Sequence, residues 1–260
     1  MKDNQLSLPA KSGLAWFRGS LSVVFFLVAW EIAARLFFVP AVLPAPSRIF
    51  AEFMNYAATG KLGHDVLMSV QRVLVGFAGG SLLGAILGLL LGSFKAARWI
   101  LEPPLQFFRF IPPIAWLTPV LIWFGIGETG KYVLITYTTM FMVMISTYSG
   151  VVGIRENQLR AARCLGANRL QAFQYVIIPA TLPHIFNGMQ IGMANSLQTL
   201  VVAEMLAANE GLGFLISSSR VSLDTELVYV AIFLLGVLGL VADSSFRRLV
   251  ARFGSRYRLG

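Results

Sequence analysis

Long apolar runs constrain this chain more than any other feature of its sequence. A helix of about 20 apolar residues crosses the roughly 30 Å hydrocarbon core of a bilayer. Six such runs occur, at about residues 20–39, 66–91, 105–124, 132–152, 183–207 and 227–242. With 57% hydrophobic and only 13% charged residues, the chain is also unlike a soluble or a disordered domain. The sequence therefore predicts an all-α integral membrane protein with six transmembrane helices.

The basic residues are sorted between the two sides of these runs. Fourteen Lys and Arg fall on the side of the two termini, and four fall on the opposite side. Because positive charge is retained in the cytoplasm, both termini are predicted to be cytoplasmic. The predicted units are a cytoplasmic segment at 1–19, a transmembrane domain at 20–246 and a basic cytoplasmic tail at 247–260. The net charge of +9 is then a topology signal, and nucleic acid is not expected as a partner.

Motifs for chemistry within the chain are weak. The segment 125–131 matches glycine-rich phosphate-binding patterns, but Tyr132 follows where a P-loop needs Ser or Thr, so a tight turn is expected. His64 and His184 have no second His or Cys at ligand spacing, and Cys164 has no plausible base partner nearby. Neither a metal site nor catalysis by this chain is expected.

The second run carries a stripe of glycines. Gly76, Gly80, Gly84, Gly88 and Gly92 recur at every fourth position and therefore share one face of a helix. Small residues in such rows let membrane helices approach closely. These glycines are predicted to form a helix-packing face.

Three charged residues within the runs have simple structural interpretations. Glu31 and Arg35 are four positions apart, which favours an ion pair on one helix. Arg72 lies near the outer end of the second run, where its side chain is expected to extend to the interface.

Two further charges are candidates for a translocation path, because an ionisable group in the membrane usually faces a cavity or a partner. Arg109 lies between two proline pairs, at 103–104 and 112–113, where broken helix turns expose backbone groups. Glu204 follows a polar cluster in the fifth run and is expected to line or gate the path. The alternative for both is a structural ion pair or hydrogen-bonded packing.

The connection between the fourth and fifth runs, residues 155–182, is long, basic and partly apolar. Its pattern predicts two short helices, the first ending at Gly166 and the second capped by Asn168 and stopped before Pro179. Such a projection is suited to docking a cytoplasmic partner.

This connection resembles the EAA motif, E-A-A-x3-G-x9-I-x-L-P, of permease subunits of ATP-binding-cassette importers. Ala161, Ala162, Gly166 and Pro179 match at the motif's spacing, and Arg160 replaces its glutamate. Val176 and Ile178 are conservative replacements. Stretches at 43–48, 111–119, 123–127 and 203–213 are similar to the nitrate, taurine, alkanesulfonate and bicarbonate branch of these permeases.

The resemblance implies a type I importer permease fold in the bacterial inner membrane. It implies a second permease copy, a cytoplasmic ATPase dimer and a periplasmic or lipid-anchored substrate-binding protein as partners. ATP and magnesium would bind to the ATPase, with no cofactor in this chain, and the substrate would be a small anion or organic acid. The implied coupling residues are Arg160, Ala161, Ala162, Gly166, Ala167 and Pro179. The alternative is a self-sufficient secondary transporter or channel, for which an internal repeat is missing.

Overall fold

A computed structural model describes residues 12–254, with side chains described for residues 21–252. Within that part the chain is helical and contains no strand. Its helices are α1 (Ser12–Phe37), α2 (Pro46–Ala58), α3 (Lys61–Ser93), α4 (Lys95–Arg109), α5 (Leu117–Phe124), α6 (Glu128–Val152), α7 (Glu156–Cys164), α8 (Arg169–Ala172), α9 (Ile178–Ala207), α10 (Leu212–Val221) and α11 (Thr225–Gly254). A 3₁₀ turn precedes α5, at Pro113–Trp116, and a π-helical turn, Phe173–Ile177, joins α8 to α9. The prediction of an all-α chain is confirmed.

Three helices of the described part are long and apolar enough to cross a membrane by themselves: α3, α6 and the Thr225–Arg252 part of α11. Two bent pairs reach that length together, α4 with the Pro113–Phe124 segment, and Arg169–Ala207 with α10. Helix α1 coincides with the first predicted run, but most of its first half lies where side chains are not described.

Helix α6 forms the centre of the bundle, between α3 and α9. The glycine face of α3 lies directly on α6: a Cβ added to Gly84 would lie 2.5 Å from the carbonyl oxygen of Met140. On the other side, a Cβ added to Gly188 of α9 would lie 3.0 Å from the Cα of Val143. The glycines thus bring three backbones into direct contact and leave no room for side chains between them.

The third predicted run is interrupted at its prolines. Helix α4 and the Pro113–Phe124 segment meet at 94°. Tyr137 of α6 satisfies the backbone there, since its hydroxyl donates to the carbonyls of Phe108 and Ile111 and accepts from Trp116 Nε1 at 3.0 Å. Carbonyl groups that lose their helical hydrogen bonds at the break are therefore hydrogen-bonded by a protein side chain, which is needed because lipid supplies no water.

Several predicted boundaries need correction. Helix α9 begins at Ile178, so the second loop helix does not stop before Pro179. The π-helical turn just before it loosens the hydrogen-bond spacing and lets the chain continue through the proline. Helix α11 runs on to Gly254, well beyond the apolar run that ends near 242. Helices α2 and α10, at the ends of the membrane helices, were not predicted.

Candidate functional site: a buried ion network, a mid-helix cavity and a two-helix loop

Arg72 lies at the centre of a polar network where α3 and α6 begin and α9 ends. Its side chain is fully buried, and its Nε and Nη2 atoms donate to both carboxylate oxygens of Glu128, at 2.7 and 2.8 Å. Its Nη1 donates to Glu204 Oε1 at 2.8 Å and to the carbonyl of Glu210 at 2.7 Å. We call Asp65, Ser69, Arg72, Glu128 and Glu204 the Arg72 network.

The network fixes the loop between α9 and α10 through its backbone amides. Gly213 N–H donates to Glu204 Oε2 at 2.8 Å, and Gly211 N–H donates to Asp65 Oδ1 at 2.9 Å. Gly211 has φ +109°, and a Cβ there would lie 2.5 Å from Glu204 Oε1. Only glycine combines that backbone conformation with that approach.

The prediction that the Arg72 side chain extends to the interface is wrong, because the side chain is buried. It is buried because two carboxylates and a carbonyl replace its hydration. Glu204 is also fully buried, and it forms the structural ion pair that was the alternative to a place in the path. Its role in the path stays a prediction.

Polar contacts extend the network to helix α2 and to the surface. The Tyr56 hydroxyl donates to Asp65 Oδ2 at 2.5 Å. Burial, together with this hydrogen bond, raises the pKa of Tyr56 above its already high ordinary value. At the surface, His64 Nε2 lies 2.7 Å from Oε2 of Glu210, in the loop between α9 and α10.

Arg109 lies at the wall of a cavity of about 320 Å³ between the α4–α5 break, α6 and α9. The polar cluster of α9 also faces this cavity, through Asn195, Gln198 and Thr199. Arg109 contacts the ring of Phe110 at 4.9 Å, and among the described residues no carboxylate lies within 4 Å of its guanidinium. The wall of the cavity is mostly apolar, and its polar groups are one positive charge and neutral amide and hydroxyl groups.

A second cavity, of about 200 Å³, lies on the other side of Arg109. Glu102 and Gln106 of α4 line it, together with Tyr148 and Ser149 of α6. Arg109 contributes to both cavities and stands between them. The proline pair at 112–113 ends α4 close to this residue and so places its charge there.

The loop at 155–182 has two well-defined helix ends at its tip. Ala167 N–H donates to the carbonyl of Ala162 at 3.0 Å, and Gly166 N–H donates to that of Arg163 at 2.9 Å. This is the Schellman arrangement, in which Gly166 takes a left-handed φ of +84°. Asn168 then caps α8 by a reciprocal pair of 2.8 Å hydrogen bonds with Gln171.

The six predicted coupling residues lie along this loop. Arg160, Ala161 and Gly166 are exposed, while Ala162, Ala167 and Pro179 are half-buried. Arg160 donates to Glu156 at 2.8 Å, one turn earlier in α7, and both side chains are mostly exposed. Leu165, at the tip between the two helices, is 89% exposed, although an apolar side chain gains nothing from water.

Membrane-length helices around a charged cavity, with a structured polar loop at one end, define the class of membrane transport proteins. Residues 80–255 match the family model described as "Binding-protein-dependent transport system inner membrane component". The chain belongs to this family. It is therefore the permease component of an ATP-binding-cassette importer, a multi-pass protein of the inner membrane, with ATP hydrolysis on a separate subunit.

Relatives at similar identity are named for different substrates, which are taurine, aliphatic sulfonates and nitrate. The chain is 33% identical to the taurine transport system permease protein TauC of Escherichia coli, over 90% of this chain and 86% of that one. It is 33% identical to the putative aliphatic sulfonates transport permease protein SsuC of Bacillus subtilis, over 94% and 88% of the two chains. It is 31% identical to the nitrate import permease protein NrtB of Synechocystis, over 87% and 85%.

Solved structures support the fold at lower identity. An inward-facing form of the MetNI methionine transporter superposes with a TM-score of 0.65 at 20% identity, covering 74% of this chain and 95% of that one. An amino acid ABC transporter crystallised with histidines gives 0.56 at 18% identity, covering 78% and 97%. The type I importer permease fold implied by the sequence is thus confirmed.

Sequence reasoning missed most of the Arg72 network. Glu128 was treated only as part of a glycine-rich turn, and Asp65 and Ser69 were not singled out. A usable signal existed, since Asp65, Ser69 and Arg72 fall at intervals of four and three and so share one helix face. Tyr137, which holds the backbone at the α4–α5 break, had no recognisable pattern.

Proposed function

We propose that this permease crosses the membrane six times, with both termini in the cytoplasm, and conducts a small anion. Helix α1, the two bent pairs, α3, α6 and α11 supply the six spans, and the 14 to 4 distribution of basic residues supports the orientation. In this topology 1–19 and 247–260 lie in the cytoplasm and the Arg72 network lies near the external face. A second copy of the chain completes the path.

The cavity at Arg109 is the observation that carries the choice of an anion. An arginine without a carboxylate partner at membrane depth is costly unless water or an anionic ligand neutralises it. The neighbouring amide and hydroxyl groups of Asn195, Gln198 and Thr199 add hydrogen bonds without adding negative charge. A sulfonate such as taurine, nitrate or bicarbonate matches this surface, and the names of the relatives support the same class.

We further propose that the loop 155–182 transmits ATP-driven movement to this cavity. Arg160, Ala161, Ala162, Gly166, Ala167 and Pro179 form its contact region for the ATPase dimer, which binds ATP and magnesium. The Phe173 ring, in the π-helical turn, contacts Phe94 at the start of α4, with centroids 6.3 Å apart. Because α4 ends at Arg109, movement of the loop has a direct route to the cavity. Glu204, within the Arg72 network, gates the external end, where a substrate-binding protein delivers the anion.

The test is uptake of radiolabelled taurine into proteoliposomes that contain the permease, its ATPase and its binding protein. A hydrogen bond to a charged group contributes about 1.5–3 kcal/mol, so Arg109→Gln should lower uptake by about tenfold to a hundredfold. Arg109→Lys, which retains the charge, should recover part of it. Unlabelled ethanesulfonate, nitrate and bicarbonate, added in excess, rank the acceptable anions.

Arg35→Gln is the matched control, because Arg35 is an exposed, ion-paired arginine of α1 outside the lining of the cavity. It should leave uptake within a factor of two. ATP hydrolysis stimulated by the binding protein is measured in parallel and should persist in Arg109→Gln, which separates a path defect from failed assembly. Unchanged uptake in Arg109→Gln would show that this residue is not in the path.

A further inference from the structure

Another cavity lies between α3, α9 and α11. Unlike the cavity at Arg109, it has no charged residue in its lining. Its volume is about 210 Å³, and Ser245 is the polar residue among those that line it. We call it the α11 groove and define it by Leu74, Phe77, Leu197, Leu238, Ala242 and Leu249. An apolar cavity of this size does not hold ordered water, because water finds no polar partners there.

The α11 groove opens toward the bilayer. Its residues on α11, at positions 238, 242, 245 and 249, recur on one helix face. Leu249 and Leu74 at its edges are each 55% exposed. Only 11% of the most apolar part of α11 is buried against the rest of the chain. Although Trp30 of α1 contacts Tyr229 and Phe233 near the start of α11, the groove face further along α11 is therefore largely uncovered by the described part of the chain.

Basic side chains follow the groove toward the end of α11. Arg252 is three positions after Leu249 and continues the groove face, and Arg248 flanks it. Arg247, on the opposite face, is neutralised by Asp243 at 2.6 Å. Among the described residues, no carboxylate lies within 4 Å of Arg248. The groove thus passes from a cleft in which Ser245 is the polar lining residue to an end that carries basic side chains.

We propose that the α11 groove is a binding site for an anionic phospholipid. One acyl chain occupies the cleft between Phe77, Leu197 and Ala242, and the phosphate lies beside Arg248. This combination of apolar contact and basic residues at headgroup depth is what distinguishes anionic lipid from neutral lipid. The inference uses the proposed orientation of α11 and is independent of the transported substrate.

The first test maps lipid contacts on the assembled importer in nanodiscs. Phosphatidylglycerol or phosphatidylcholine with a photoreactive diazirine in one acyl chain is incorporated, crosslinked and located by peptide mass spectrometry. We expect label within 238–249 and 70–77, at least fivefold more from phosphatidylglycerol. Equal labelling by the two lipids would overturn the headgroup assignment. Labelling of the isolated permease that disappears in the assembled importer would assign the groove to a protein partner.

Three variants test the site itself. Ala242→Trp fills the cleft and should reduce phosphatidylglycerol labelling at least fivefold. Leu240→Trp is the matched control, because Leu240 is 70% exposed at the same depth on another face of α11, and it should have no effect. Arg248→Gln should reduce labelling by phosphatidylglycerol about threefold and leave phosphatidylcholine unchanged. Wild-type labelling in Ala242→Trp would refute the site, and the mapping on the wild-type protein decides the matter if that variant does not fold.

Discussion

Replacement of Arg72 by methionine tests whether the Arg72 network stabilises the bundle. The change preserves an apolar stem of similar length but removes the donors that pair with Glu204 and Glu128. Glu204 would then remain fully buried with only Ser69 Oγ and Gly213 N–H as donors. Leaving one member of a buried ion pair without its partner costs about 3–5 kcal/mol.

This cost corresponds to a fall in melting temperature of about 6–20 °C, since each kcal/mol shifts a domain of this size by about 2–4 °C. The assay is thermal unfolding of the purified permease in detergent, followed by tryptophan fluorescence. The double variant Arg72→Met with Glu204→Gln should regain about half of the loss, because the amide removes the buried charge and still accepts from Gly213. The control Arg35→Met removes an exposed pair and should shift unfolding by no more than about 1 kcal/mol.

Two results would refute this reasoning. A loss below about 1 kcal/mol in Arg72→Met would mean that water or movement of α10 solvates Glu204 without difficulty. A double variant no more stable than the single one would mean that the cost comes from lost packing and not from the buried charge.

Two further predictions concern glycines. Gly84→Ala should lower the melting temperature by about 2–12 °C, because overpacking costs about 1–3 kcal/mol and the new Cβ would meet the Met140 carbonyl at 2.5 Å. Gly236→Ala, with nothing within 4 Å of its added Cβ, should not lower it; equal losses in both would contradict close packing as the cause. Gly166→Asp should reduce ATPase co-purification and taurine uptake while leaving permease melting within a few degrees, because only the φ of +84° at the loop tip is disfavoured. Wild-type assembly and uptake in Gly166→Asp would remove the loop tip from coupling.

Local signals were sufficient for the glycine face of α3 and for the tip of the loop, but not for helices α2 and α10. The glycine spacing identified the face of α3 that lies on α6, and the Gly166 and Asn168 signals identified the two helix ends correctly. Each of these features depends on residues only a few positions apart in the chain, so their spacing in the sequence is enough to predict it. The π-helical turn before Pro179 was missed because a proline normally ends a helix, and the wider turn that accommodates it has no simple sequence pattern.

Long-range contacts explain what sequence reasoning could not supply. Arg72 and Glu204 are 132 positions apart, and the Glu128 that completes the pairing belongs to a third helix. Charge within a run indicates that a partner or a cavity must exist, but it does not indicate which of the two. The choice was made correctly for Glu31 and Arg35. They pair with each other one helical turn apart, with Arg35 Nε 2.6 Å from Glu31 Oε1. The choice was wrong for Arg72, whose burial depends on the loop after α9.

The same residue type therefore has two different consequences in this membrane protein, according to what surrounds it. Arg72 is fully buried, four of its five N–H groups are hydrogen-bonded within the chain, and its charge is balanced there, so it holds α3, α6 and α9 together and its guanidinium is not exposed to a substrate. Arg109 is half-buried beside a cavity of about 320 Å³, and no described carboxylate lies within 4 Å of its guanidinium. Its electrostatic cost is offset only when water or an anion occupies that space. An arginine that stabilises the fold and the arginine proposed to select the transported charge are thus distinguished by their partners: Arg72 has carboxylates within 3 Å, whereas Arg109, at the end of α4, contacts only the ring of Phe110 among the described ion-pair and ring contacts.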